Sequence, residues 1–212
     1  MRSLRKTERT KLLLIDGVRA EVLRTGQFTA DGVARHTGTS PATFYNHFAN
    51  KDDALVAAYA SLMQELSMSI ADRFRIDRLL DEGLEGFVHS WLTDSGAFFA
   101  AQAPLFRLAQ ARIDGSKALR DLFRLHENSI RCTYQRLIEL GQRAQVIRHG
   151  QAEAMAQLLI VLSEGWFHPQ VQRMTRDSAL HREMTACLVH VLAPKPATVP
   201  TTDPTGPVEP ED

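Results

Sequence analysis

The side chains best suited to chemistry stand close together. Thr43, Tyr45, Asn46 and His47 fall on a segment of about Pro41 to Asn46 that carries few apolar residues. A helix this short and this polar is not core, so its hydrogen-bonding groups are free to meet something outside the fold. Other chemistries are poorly supplied. The eight histidines include no His-x-x-x-His pair, the two cysteines form no Cys-x-x-Cys, and no carboxylates cluster at ligand spacing, so no metal site is expected. A Gly-x-Ser-x-Gly turn and a phosphate loop are both missing, and no catalytic residue or cofactor is expected.

The neighbouring residues specify how the polar segment is held. In TADGVARHTGTSPATFYNHFANK, Thr29 caps a first helix whose Val33, Ala34 and Thr37 share one face. Gly38 ends that helix, because glycine accepts the left-handed conformation common at helix ends. Ser40 caps the next helix and Pro41 takes its first position, where a missing N–H costs nothing. A helix–turn–helix that presents a small polar second helix is the geometry that enters a DNA major groove.

This stretch resembles the DNA-binding domain of the TetR family, the tetracycline-repressor-like regulators. The matching residues are Phe28-Thr29, Val33-Ala34, Gly38, Ser40, Thr43-Phe44-Tyr45, His47-Phe48, Lys51 and Leu55, and they include the family's run Tyr-x-His-Phe-x-x-Lys. The resemblance covers roughly residues 8 to 58. It departs at Thr39, where the family more often has a small apolar residue, and at Asp31-Gly32, where Gly32 costs on the order of 1 kcal/mol of helix propensity. The resemblance implies base reading by Ser40, Pro41, Ala42 and Asn46, and phosphate contacts by Thr43, Tyr45, His47 and Lys51, with Thr29 completing the DNA-contacting set. Tyr45 and Phe48 also admit a plain reading as domain core, and Phe44 and Phe48 are expected core in either case.

Charge is distributed to match. The whole chain is formally neutral, but residues 1–51 carry nine Lys/Arg against four acids, a net of +5, which leaves −5 for the remainder. Such asymmetry suits a DNA-reading end joined to a neutral or acidic regulatory body. Cys132 and Cys187, each within an apolar helical pattern, are expected to be small buried core residues and not a disulfide. No uninterrupted apolar run approaches ~18 residues, so neither a membrane span nor a signal peptide is expected, and the protein is expected in the cytoplasm.

Helical periodicity continues along the chain. An amphipathic helix runs from about Thr7 to Thr25, and a long helix begins at Lys51 under an Asn50 cap, with its stripe at Leu55, Tyr59, Leu62-Met63 and Leu66. After Asp77 the pattern predicts a helix with a break at Thr93 to Gly96 and a bend at Pro104, then a helix from Gly115-Ser116 to Gly141. Leu158 to Leu162 is apolar all round its helix and must be covered on every side. The last helix spans Ser178 to Leu192. Residues 194–212 hold six of the nine prolines, four acids and no aromatic, a composition that cannot form a core and reads as a disordered tail.

The expected architecture is all-α: a three-helix helix–turn–helix DNA-binding domain over residues 1–50, and a helical ligand-binding and dimerisation domain over residues 51–193. The Leu158–Leu162 and Leu180–Leu192 stripes suit either burial in one subunit or half of a four-helix interface in a homodimer, the symmetry that a palindromic operator demands. Candidates for binding a small-molecule effector are Trp91, Phe99, Phe106, His126, Tyr134 and Glu164. For His126 and Glu164 the alternatives are a histidine satisfied by a neighbouring carbonyl and a cap or interface pair. The function this implies is a ligand-responsive transcriptional regulator of double-stranded DNA, a repressor or else an activator, and not an enzyme. A DNA-binding protein without an effector is the rival, and a core lacking any cavity larger than a few waters would favour it.

Overall fold

The computed structural model describes residues 6–166 and 179–194. The basic residues 1–5, His168 and the tail residues 195–212 lie outside them. The described residues form eight helices and no strand: α1 Lys6–Thr25, α2 Ala30–Thr37, α3 Pro41–His47, α4 Lys51–Arg73, α5 Ile76–Gln110, α6 Lys117–Arg143, α7 Ala152–Trp166 and α8 Ala179–Leu192.

Helices α1 to α3 pack around Leu14, Val18, Val22, Val33, Phe44 and Phe48, all buried. Close approach of α1 to α2 depends on Gly17, where a Cβ would lie 2.5 Å from Thr37 Cγ2 and 3.1 Å from Val33 Cγ1. Gly32 likewise sits against Glu21 and Thr29, with Glu21 Oε2 2.7 Å from where a Cβ would be. That contact accounts for a glycine inside a helix. Helix α4 buries Leu55, Tyr59, Leu62 and Leu66 and packs against α1, α5 and α6, so it belongs to both halves of the molecule. It is long and apolar enough by composition to cross a bilayer, but its apolar stripe is spent on this core.

Several boundaries differ from the sequence expectation. Helix α5 runs through Thr93–Gly96 and Pro104 without leaving helical dihedrals, because its buried face continues from Trp91 and Leu92 to Leu105 and Ala109. Its one interruption is Gly83, at φ 68° and ψ 165°. Arg73, at the end of α4, spans that kink: Nη1 donates to Glu82 Oε1 at 2.8 Å and Nη2 to the Phe87 carbonyl at 3.1 Å. Helix α6 passes Gly141 and ends at Arg143, since Gly141 is a packing glycine. A Cβ there would meet Ile147 Cδ1 at 2.6 Å, and the left-handed residue of the turn is Gln145.

Among the described residues, helix α7 is not covered all round. Leu159, Ile160, Ser163 and Trp166 face inward, whereas Leu158 and Val161 are 39 % and 56 % exposed. Both cysteines are exposed as well. Each is offset on its helix from the residue that reaches the core, Tyr134 for Cys132 and Leu188 for Cys187, so lying in an apolar pattern did not bury them.

Candidate functional site

The polar second helix is built as a projecting edge. Ser40 caps α3 by accepting from the Thr43 N–H at 3.2 Å, and its hydroxyl lies 2.9 Å from that of Thr43. Gly38 adopts φ 65° and returns its N–H to the Ala34 carbonyl, which makes the turn between α2 and α3 tight. Thr29 caps α2 through the Gly32 N–H at 3.0 Å. Two aromatic anchors, Phe44 and Phe48, are buried with ring centres 5.2 Å apart and fix the inner side of α3. The outer side is then presented: Ser40, Pro41, Ala42 and Asn46 are exposed, Thr43 and His47 half-buried, and Tyr45 is 55 % exposed. Tyr45 stands edge-on to Phe44 at 5.3 Å, so its ring is braced while its hydroxyl remains outside the core.

Lys51 opens α4 beside this edge and is exposed. The α4 start is doubly capped, with Asn50 Oδ1 accepting from the Asp53 N–H at 2.8 Å and Asp53 Oδ2 accepting from the Ala49 N–H at 3.1 Å. Thr29, Ser40 to Asn46, His47 and Lys51 thus all belong to the α2–α3–α4 corner of the fold. One more cation comes from α1. Lys11 Nζ lies 5.8 Å from the centre of the Phe48 ring. Counting charge includes Lys11 among the basic residues but cannot place it; only the packing of α1 over Phe48 does.

The six C-terminal candidates do not converge. Trp91 and Tyr134 lie together, ring centres 5.5 Å apart, with Phe74 stacked on Tyr134 at 4.2 Å. Burial pushes the Tyr134 hydroxyl up, partly offset by the Trp91 N–H. That N–H is directed at the Tyr134 hydroxyl, and among the described residues it has no other partner. Phe99 and Phe106 form a second cluster, 4.8 Å apart, that reaches Tyr59 and through it Phe123. His126 is half-buried and pairs through Nδ1 with Ser67 Oγ at 3.1 Å, a side chain where a carbonyl was the expected partner. Burial lowers its pKa to about 4. Glu164 is exposed on the outer face of α7.

Two empty spaces adjoin these clusters. One, between α5, α6, α7 and α8, is lined by apolar side chains and Tyr134 and amounts to about 10 Å³, room for one water. The other, about 190 Å³, lies between α4 and α5 and is walled by both apolar and charged residues. Arg73, Asp94 and Ser95 face it, and no helical periodicity singles them out in the sequence. Among the described residues no three His, Cys, Asp or Glu side chains gather to hold a metal.

By sequence, no family model and no curated protein matches the chain. Solved structures do. A TetR-family transcriptional regulator from Mesorhizobium loti superposes with a TM-score of 0.72 at 17% identity, over 90% of this chain and all of that one. The fold is that of TetR-type regulators. A TetR regulator from Haloarcula marismortui matches at TM-score 0.67 and 18% identity, covering 87% of this chain and 96% of its own. FadR from Bacillus subtilis, solved with stearoyl-CoA, matches at 0.61 and 15%, covering 84% and 97%. The TetR-type fold therefore extends well past the stretch whose residues resemble the family. It takes in the C-terminal helices, where the sequence carries no motif.

Proposed function

We propose that this chain is a transcriptional regulator that reads a palindromic operator as a homodimer and responds to a small molecule. The observation that carries the reading is α3 itself. A seven-residue helix anchored by Phe44 turns Pro41, Ala42, Tyr45 and Asn46 outward, which a core element would not do. Small residues at its start let the helix approach base edges, and Asn46 suits the bidentate pairing an amide makes with adenine. Thr43, Tyr45, His47 and Lys51 would hold phosphates, together with the amides at the start of α4. Residues 1–50 would form the DNA-reading unit and residues 51–193 the regulatory one.

The uncovered strip on α7 supports the dimer. Leu158 and Val161 are exposed apolar residues that a second copy would bury, and α8 offers Ala186 and Cys187 on its exposed side. A space of about 190 Å³ is well beyond a few waters, which favours an effector over a regulator without one. The effector acts by preferring one of two spacings of the recognition helices, so DNA and ligand weaken each other reciprocally. Repression is the mode we propose, in a soluble, cytoplasmic, non-enzymatic protein.

The test is binding to the promoter DNA upstream of the protein's own gene across a salt series, with Tyr45→Ala, Lys51→Ala and Asn46→Ala alongside. Saturable binding of a dimer to one palindrome is expected. Tyr45→Ala and Lys51→Ala should weaken all sequences alike, and Asn46→Ala should relax specificity at one position. Weak, unselective binding throughout would refute the reading.

A further inference from the structure

We propose that Thr39 reads one operator base, accepting a hydrogen bond from the exocyclic amino group of an adenine or a cytosine; this rests on the regulator reading above. Thr39 lies in the turn between α2 and α3 and is half-buried. It directly precedes Ser40 and Pro41, at the start of the helix that would enter the major groove. That end of a recognition helix is the one that meets base edges.

The direction of its proton follows from Thr37. The Thr37 hydroxyl donates to the Val33 carbonyl at 2.8 Å, with the Ala34 carbonyl at 3.4 Å. A carbonyl only accepts, so the single Thr37 proton is spent within α2. Packing holds it there. The Thr37 methyl sits against Gly17, 2.5 Å from where a Cβ would be, and turning χ1 would give up that contact. Thr39 Oγ1 stands 2.9 Å from Thr37 Oγ1, and in that pair the proton must come from Thr39. Thr39 is left with lone pairs and no O–H to offer outward. The next hydroxyl pair is not fixed in this way, because across the 2.9 Å between Ser40 and Thr43 either group can donate.

An oxygen in that state suits few groups on DNA. Phosphate oxygens, guanine O6 and thymine O4 are acceptors and oppose it, whereas adenine N6 and cytosine N4 present donors in the major groove. Asn46 has both a donor and an acceptor and selects through paired geometry. Thr39 selects by polarity alone.

The experiment measures affinity of the full chain for its operator with each half-site position changed in turn to all four bases. At one position adenine and cytosine should be preferred over guanine and thymine by about fivefold. Thr39→Val removes the oxygen and should bring the four bases there within about twofold, with other positions unchanged, while Thr39→Ser should keep the preference. Thr37→Val keeps the methyl against Gly17 but takes away the acceptor for the Thr39 proton. The freed hydroxyl can then donate, so the same preference should shrink by about threefold although Thr37 reads no base. Adding Thr37→Val to Thr39→Val should change the preference no further. A preference that survives Thr39→Val would overturn the proposal, and so would one that favours guanine or thymine at the position Thr39 controls. A preference left intact in a Thr37→Val protein that still melts cooperatively would overturn it too. Any of these with selective operator binding leaves the regulator reading standing. If the wild-type chain binds no operator selectively, that reading fails and takes this proposal with it.

Discussion

Arg112 Nη1 lies 2.7 Å from Asp52 Oδ1, joining the turn after α5 to the first turn of α4. The two residues are 60 apart in sequence. Asp52 is next to Lys51, a proposed phosphate contact, and α5 also lines the larger cavity. The pair therefore ties the cavity-lining helix to the edge that would meet DNA.

Both partners are more than half exposed, so the pair is worth only ~0.2–1 kcal/mol to stability. Its expected effect is on DNA. Asp52→Asn should strengthen operator binding a few-fold at low salt by removing an acid beside the phosphates, and Arg112→Ala should weaken it by a similar factor because Asp52 is left uncompensated. Fluorescence anisotropy on the two single variants and the double variant measures the coupling. Strictly additive effects would mean that the two side chains do not act as a unit.

His126 predicts a pH dependence. Burial holds its pKa near 4, against 6.5 for a free imidazole. Between those values the unfolded chain binds the proton and the folded chain does not, so stability is complete above about pH 6.5 and declines as pH falls toward 4. Allowing for its partial exposure, the loss is about 1–2 kcal/mol. His126→Gln keeps a group able to bond Ser67 but cannot titrate, and urea melts from pH 7 to pH 4 should show a shallower decline for it. An equally steep decline would place the titrating group elsewhere.

Val161 discriminates between a monomer and a dimer. At 56 % exposure, replacing it by arginine in an isolated chain changes stability by no more than ~0.5 kcal/mol. Buried across a two-fold interface, the same charge would be desolvated without a partner, and the dimer dissociation constant should rise by about 100-fold or more. Analytical ultracentrifugation of Val161→Arg reads this directly. An unchanged dimer would remove α7 from the interface.

Much of the α2–α3–α4 corner was legible because its signals are local. Thr29, Ser40 and Asn50 cap the helices that their residue types suggest, and Gly38 takes the left-handed turn. Gly32 looked like a flaw by propensity, but its reason lies eleven residues away in the Glu21 side chain, which no local rule reaches. The C-terminal half was legible as helices and not as a site. Apolar periodicity marks Trp91, Phe99, Phe106 and Tyr134 as inward-facing, but it does not say which share a cluster. That depends on how α4, α5 and α6 cross, and the crossing sets Tyr59 between Phe106 and Phe123 and leaves Trp91 with Phe74. Likewise Leu158 and Leu159 are equally apolar by type, and only the packing shows that one is left outside.

Gly83 carries a consequence for how this gene can vary. A Cβ added there would touch nothing within 4 Å, so by space alone the position would accept any residue. Its backbone, at φ 68° and ψ 165°, lies in a region that glycine alone occupies readily. Every amino acid reachable from a glycine codon by one base change carries a Cβ. Each missense change at that codon therefore strains the kink that Arg73 spans. Inherited variation at Gly83 should be as sparse as at a packed core residue, although the side-chain space around it is empty.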